Sequence, residues 1–419
     1  MQAPATSARI HWSEGGTDCS ALWRSERGAA PPRRVVIADD TTTADAAYQL
    51  ACEGTALLWR GDYHNARQML QALARRIDKT PARKARKSRN GTAPGTTGAA
   101  AQALTPQGAD AFHLHRQAQA QRSRILGMLL LPFHADYGIS LRRAPDARLA
   151  CSQAWGPCDA ADGPSVATLR DLLGLTGAYE WRKKGVVIEA LGAAPNNRIY
   201  PHYGVFSPVR GEYIDLLRQA PLPKVMTLHA SAGTGVAAFD IGTGTGVLSA
   251  VLVRRGIGHV IATDMDERAL TCARENLAQL GASAHVTVLK ADLFPAGHAA
   301  LIVCNPPWLP ARPSSPVEHA VYDEESQMLL GFLGGLKSHL LPGGEGWLIL
   351  SDLAEHLGLR SRAELLTAIA HSGLRVLGRL GVRPQHSKAG DISDPLHAAR
   401  AAEVTSLWRL APVGEESAG

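Results

Sequence analysis

The segment VAAFDIGTGTGVLSAVL constrains the fold more than any other part of this chain. An apolar run of strand type, Val236 to Ile241, meets three glycines at alternate positions, Gly242, Gly244 and Gly246, with Thr243 between the first two. A helical stretch, Leu248 to Arg255, follows at once. A strand that turns this sharply into a helix needs residues free of Cβ atoms, and such turns lie at the carboxyl edge of a parallel sheet, where open α/β folds bind ligands.

The residues around this turn repeat the pattern. Strand candidates His259 to Thr263, Val286 to Leu289, Ala300 to Cys304 and Gly346 to Leu350 alternate with helical stretches Glu267 to Leu280, Glu324 to Leu340 and Arg362 to His371. Strands separated by helices form βαβ units with right-handed crossovers, hence a parallel sheet. Two further candidates, Arg375 to Val382 and Val404 to Leu410, have no full helix between them and suit an antiparallel hairpin at the sheet edge. The expected fold is α/β and Rossmann-like: seven strands, mostly parallel, over residues 200–412, with a tail at 413–419.

Acidic residues mark the carboxyl ends of three strands. Asp240 precedes the glycines, Asp264 ends the next strand, and Asp292 follows the third. The glycine spacing is GxGxG, whereas a dinucleotide loop reads GxGxxG with its pyrophosphate at the helix N-terminus. Asp240 would repel a pyrophosphate but suits an ammonium group, directly or through water. Asp264 stands where a carboxylate accepts hydrogen bonds from ribose hydroxyls. Asp292 is placed to receive an adenine amino group, so the three acids together suit S-adenosylmethionine.

The second informative motif is Asn305, Pro306, Pro307 and Trp308, directly after the fourth strand. The Asn305 carboxamide oxygen and the Pro306 carbonyl can each accept one N–H of an NH2 group, orienting a planar nitrogen whose lone pair is otherwise delocalised. The prolines stiffen the loop, and Trp308 offers a π-face for stacking.

With both motifs in view, residues 200–412 resemble a class I S-adenosylmethionine-dependent methyltransferase. NPPW resembles the [DN]PP[YFW] motif of members that methylate adenine N6, cytosine N4 or the glutamine side-chain amide. The resemblance implies cofactor roles for Asp240, Gly242, Thr243, Gly244, Gly246, Asp264 and Asp292, and catalytic roles for Asn305, Pro306, Pro307 and Trp308. Upstream, HYGVFSPVRGEYIDLL loosely resembles the segment that closes the cofactor pocket in HemK-like glutamine methyltransferases. It offers Tyr203, Phe206, Ser207, Pro208 and Arg210 as wall residues, although the family's usual proline, arginine and threonine pattern is missing.

The first 200 residues carry no motif that points to a family. Apolar residues at helical spacing between Thr43 and Ile77, broken at Gly61 and Asp62, predict an αα-hairpin in a mainly helical region, residues 1–78. A basic run, Lys79, Arg83, Lys84, Arg86, Lys87 and Arg89, then leads into a Gly-, Thr- and Ala-rich stretch, and residues 79–110 read as a disordered linker. Residues 111–199 read as a mixed α/β accessory region suited by position to substrate recognition.

Composition excludes several classes. The longest apolar run, Ile125 to Phe133, is far below the roughly 20 residues of a membrane span, and the start of the sequence has no basic then apolar leader, so a cytoplasmic protein with no membrane partner is expected. The six cysteines form no CxxC pair, which argues against disulfides and zinc, and His113, His115 and His134 read as surface residues, so no metal is expected. A net charge of +6 permits an anionic partner. The reading favours adenine N6 of RNA or DNA, with protein glutamine N5 methylation of a translation factor or ribosomal protein as the alternative, and a non-catalytic binding module as the second. The loop Pro384 to Arg400 lies where specificity could be set.

Overall fold

The computed structural model describes residues 8–89, 108–209, 211–226, 237–313, 318, 320–384 and 394–414, with side chains of 80–89 and 160 left aside. The chain divides into two compact units, one of residues up to 106 and 113–179, the other of 107–112 and 180 onward.

The first unit is built on a mixed six-stranded sheet. Its strands are β1 (Arg9–Glu14), β2 (Thr17–Trp23), β3 (Arg34–Ala38), β4 (Thr55–Trp59), β5 (Leu129–Phe133) and β6 (Ser165–Thr168), in the order β1-β2-β6-β5-β4-β3. The helices expected between residues 43 and 77 are present as α1 (Ala44–Cys52) and α2 (Tyr63–Arg89), but they do not form a hairpin. β4 runs between them, with all five residues buried and paired in parallel with β3 and β5. Because β5 and β6 share this sheet, residues 113–179 belong with the N-terminal region, and a boundary at residue 78 would cut through one core. The basic run is helical, in the last turns of α2 as far as Arg89, and not part of a disordered linker; of the rest of the expected linker, 90–107 fall outside the described residues and Ala109 and Asp110 open the next helix.

The helices α3 (Ala109–Leu126), α4 (Arg148–Trp155) and α5 (Leu169–Lys184) come next in the chain. The second unit then opens with a short ribbon, β7 (Val186–Val187) and β8 (Arg198–Ile199), and helix α6 (Glu212–Gln219). Its main sheet has seven strands: β9 (Ala238–Ile241), β10 (Val260–Asp264), β11 (Val286–Lys290), β12 (Ala299–Cys304), β13 (Leu340–Ser351), β14 (Leu374–Val382) and β15 (Thr405–Pro412). The order is β11-β10-β9-β12-β13-β15-β14, with β15 antiparallel to both neighbours and the rest parallel. This is the expected seven-stranded fold with its antiparallel edge pair.

Between the strands lie α7 (Val247–Arg254), α8 (Glu267–Gln279), α9 (Gln327–His339), α10 (Leu353–His356), α11 (Arg362–His371) and α12 (His397–Ala402). Every residue of β9 and β12 is buried, as a central strand covered on both faces demands. One core layer joins Leu248, Val251, Val303, Trp347 and Leu407, and the other Phe239, Ile302, Phe332, Leu348 and Trp408. Phe112, from the start of α3, packs with Leu309, Ala354, Leu357 and Leu396, so this unit includes residues that the sequence assigned to the linker boundary. Among the described residues no helix is long and apolar enough to cross a membrane.

Candidate functional site

Parallel register brings the two sequence motifs together. Thr263 on β10 and Cys304 on β12 both stand opposite Ile241 on β9. The next residues, Asp264, Gly242 and Asn305, therefore leave three adjacent strands at one level. They line a common cleft of about 890 Å³, part of it open to solvent. Its wall also includes Phe206, Tyr213, Thr243, Gly244 and Pro307.

The glycine loop is shaped by close approach as much as by its turn. Gly242, Gly244 and Gly246 all have positive φ, at 71°, 55° and 79°. A Cβ on Gly242 would lie 2.4 Å from Met328 Cε. One on Gly246 would meet Ala273 and Leu277 at 3.3 Å, so this glycine lets α7 pack against α8. Gly246 also caps α7 at its N-terminus.

Asp240 lies beneath the loop, fully buried, and does not line the cleft. Its Oδ2 accepts from Thr243 Oγ1 at 2.7 Å, Ser249 Oγ at 2.6 Å and Ser249 N at 3.0 Å. Burial pushes its carboxyl above the ordinary range, and the neighbouring Asp264 adds to the rise. Its Oδ1 is buried with no donor among the described residues. The residue first anchors the loop, and its unpartnered oxygen is an acceptor beneath the cleft whose charged form an ammonium group held above it would favour.

Asp264 lines the cleft and orders it. Its Oδ2 accepts from Gly244 N and its Oδ1 from Asp266 N, each at 3.0 Å, while burial raises its carboxyl above the usual value. Oxygens with spare lone pairs at this position suit ribose hydroxyls. Asp292 behaves differently. It is exposed and outside the cleft lining, because the chain turns at Leu293, where φ is 64° and the carbonyl accepts from Thr263 Oγ1. Asp266, the N-cap of α8, lines the cleft instead, and its capping position ahead of Glu267 was the sequence signal for it.

Asn305 and Pro307 line the cleft, Pro306 is buried, and Trp308 is outside the lining. Trp308 is half-buried, packs against both core layers, and donates its indole N–H to Asn305 Oδ1 at 3.0 Å. The stacking face expected of it is thus turned largely to structural packing. Beyond it, Asp323 caps α9 through Met328 N and Leu329 N, at 3.0 and 3.1 Å, which holds Met328 at the cleft.

Of the expected upstream wall, Phe206 lines the cleft, together with Gly204 and Val205; Tyr203, Ser207 and Pro208 do not, and Arg210 falls outside the described residues. This strap is tied to the glycine loop by Asn276 of α8, which is 1% exposed. Its Oδ1 accepts from Tyr200 N at 2.8 Å and its Nδ2 donates to Thr245 O at 3.0 Å. Cys272 adds a thiol contact with the His202 amide at 3.4 Å. No sequence pattern announced this clip, since its partners are 31 and 76 residues away. The specificity loop expected at 384–400 is largely outside the described residues, and no cluster of three or more metal-ligating side chains occurs among those described.

Part of the second unit is similar in sequence to known proteins. The family model described as ribosomal protein L11 methyltransferase (PrmA) matches residues 225–306, from ahead of the glycine loop through Asn305 and Pro306. The second unit has a Rossmann-like α/β fold of the methyltransferase type, a mostly parallel seven-stranded sheet with an antiparallel edge pair. A ribosomal protein L11 methyltransferase of Brucella suis is 32% identical over 118 residues, 28% of this chain and 36% of that protein. One from Leuconostoc citreum is 42% identical over 60 residues, 14% of this chain and 20% of it. The chain thus spans about a third or less of the length of these curated relatives. The crystal structure of a ribosomal protein L11 methylase from Lactobacillus delbrueckii subsp. bulgaricus is 18% identical, with a TM-score of 0.32 over 49% of this chain and 80% of that one.

Proposed function

We infer that this methyltransferase-fold chain is an S-adenosylmethionine-dependent N-methyltransferase whose acceptor is a planar nitrogen of a protein, a component of the translation apparatus. The observation that carries the reading is the shared level of Gly242, Asp264 and Asn305 at the mouth of one cleft. Gly242 and Gly244 would let the cofactor approach the backbone, Asp264 would hold its ribose, and Asp240 would supply charge beneath its amino group. When bound, the cofactor supplies an electrophilic methyl group on a sulfonium centre.

The protein side then has a positioning task. Asn305 Oδ1 and the Pro306 carbonyl accept the N–H groups of the acceptor, aim its lone pair at the methyl and favour the shift towards tetrahedral nitrogen. No strong base is needed, because the nitrogen becomes acidic once alkylated. A protein acceptor is favoured over adenine for two reasons. The relatives matched here are named as ribosomal protein methyltransferases. Trp308, the residue a flipped base would stack on, is packed into the fold. The adenine N6 reading keeps one supporting observation, the basic run between Lys79 and Arg89.

Transfer of a tritiated methyl group into a lysate separated into protein, RNA and DNA distinguishes these. Label in protein is expected. Label confined to nucleic acid would replace the protein reading with the adenine one, and no label in any fraction would reject the enzyme reading.

A further inference from the structure

The Asn305 carboxamide can rotate by half a turn with almost no change in shape, exchanging its oxygen for its NH2 group. Only one of the two orientations serves the transfer proposed above. With the oxygen presented, an acceptor N–H finds an acceptor; with the NH2 presented, two donors face each other. The position therefore needs something that tells oxygen from nitrogen. Trp308 does so, because its indole nitrogen is a donor only and its hydrogen bond, at 3.0 Å, falls on Oδ1. One lone pair of Oδ1 is used in this bond, and the other has no donor among the described residues.

Trp308 is itself held from several sides. Its ring packs against both core layers, and its carbonyl accepts from Arg360 at 3.4 Å. Arg360 also donates to Ser326 Oγ at 3.2 Å, next to the start of α9. The indole is therefore a fixed donor, not a mobile stacking plate.

We propose that Trp308 is a positioning residue, whose indole N–H holds the Asn305 carboxamide in the orientation that presents its oxygen to the acceptor nitrogen. The proposal rests on the N-methyl transfer reading for its consequence and on the indole hydrogen bond for its cause. Each can be measured separately. A phenylalanine at this position keeps most of the packing and removes the donor. An aspartate at 305 has two equivalent acceptor oxygens and needs no such discrimination.

The full chain, labelled with ¹⁵N at tryptophan, gives the direct readout. The indole resonance lost in Trp308→Phe is assigned to Trp308, and Asn305→Ala should shift it and speed its hydrogen exchange. In methyl transfer from S-adenosylmethionine to the labelled acceptor fraction, Trp308→Phe should lower turnover about tenfold while leaving cofactor Kd within twofold. In the Asn305→Asp background the same change should cost less than twofold. An indole resonance indifferent to Asn305→Ala, or an equal loss in both backgrounds, would overturn the proposal. If the wild-type chain labels no fraction, the transfer reading falls, and the indole resonance still decides whether Trp308 orients Asn305.

Discussion

Replacing Asn276 with leucine tests how the cofactor cleft is held together. Leucine keeps the branching and the number of side-chain heavy atoms, though its methyl groups are bulkier, so the change removes both hydrogen bonds without opening a cavity on α8. The change strands the Tyr200 N–H and the Thr245 carbonyl in a site that is 1% exposed. Each stranded buried group costs about 1 to 3 kcal/mol, and local shifts that admit water recover part of it, so a loss of about 2 to 4 kcal/mol is expected. Thr245 and the strap residues Gly204, Val205 and Phe206 all line the cleft, so affinity should fall with stability. Urea unfolding, followed through the transition that S-adenosylmethionine shifts, gives the first quantity, and titration calorimetry gives the second. The expected result is a lowered midpoint with at least tenfold weaker binding. A stability change below about 0.5 kcal/mol, a typical value for an inconsequential surface substitution, would refute the clip.

Two further substitutions separate shape from charge. Gly246→Ala places a Cβ at a φ of 79° and 3.3 Å from Ala273 and Leu277, and should cost about 1 to 2 kcal/mol from the left-handed backbone alone, read as a lower thermal midpoint. An unchanged midpoint would show that α7 and α8 have room to spare. Asp240→Asn addresses a carboxyl whose folded-state pKa is raised by burial. A raised value means that the group's contribution to stability is present below the ordinary carboxyl pKa and lost as pH rises through the folded one. The variant should therefore gain stability relative to wild type as pH increases towards neutral, while binding the cofactor at least tenfold more weakly. A parallel pH profile for the two proteins would contradict this assignment.

The second unit was legible because its chemistry and its periodicity coincide. The buried runs of β9 and β12 end directly at glycine and at asparagine–proline, so each strand announces its own carboxyl end. The first unit hid its sheet. β4 is five buried residues, Thr55 to Trp59, with no alternation, and it sits between two helices whose apolar spacing absorbs it. A short, wholly buried strand cannot be told from a helix segment by period alone. Gly54, with a φ of 79°, was the punctuation that marked its start.

The site was legible in part for the same reason. Gly242, Asp264 and Asn305 are fixed by strand ends, and strand ends can be counted. Asn276 and Met328 depend on which elements pack together, which linear spacing does not encode. Asp292 shows the limit in the opposite direction. Its counterparts Asp240 and Asp264 lie within β9 and β10, whereas Asp292 lies past the end of β11, where the turn at Leu293 leaves it exposed and outside the cleft lining.

The central claim is that the cleft above the glycine loop takes S-adenosylmethionine and that Asp264 holds it. Titration calorimetry of the full chain with S-adenosylmethionine, for wild type and Asp264→Ala, tests this most directly. Charge-assisted hydrogen bonds to ribose are worth about 1.5 to 3 kcal/mol, so the variant should bind roughly 10 to 100 times more weakly. Saturable binding by the wild type and this loss in the variant are the predicted results. Failure of the wild type to bind, or equal affinity in both proteins, would contradict the account.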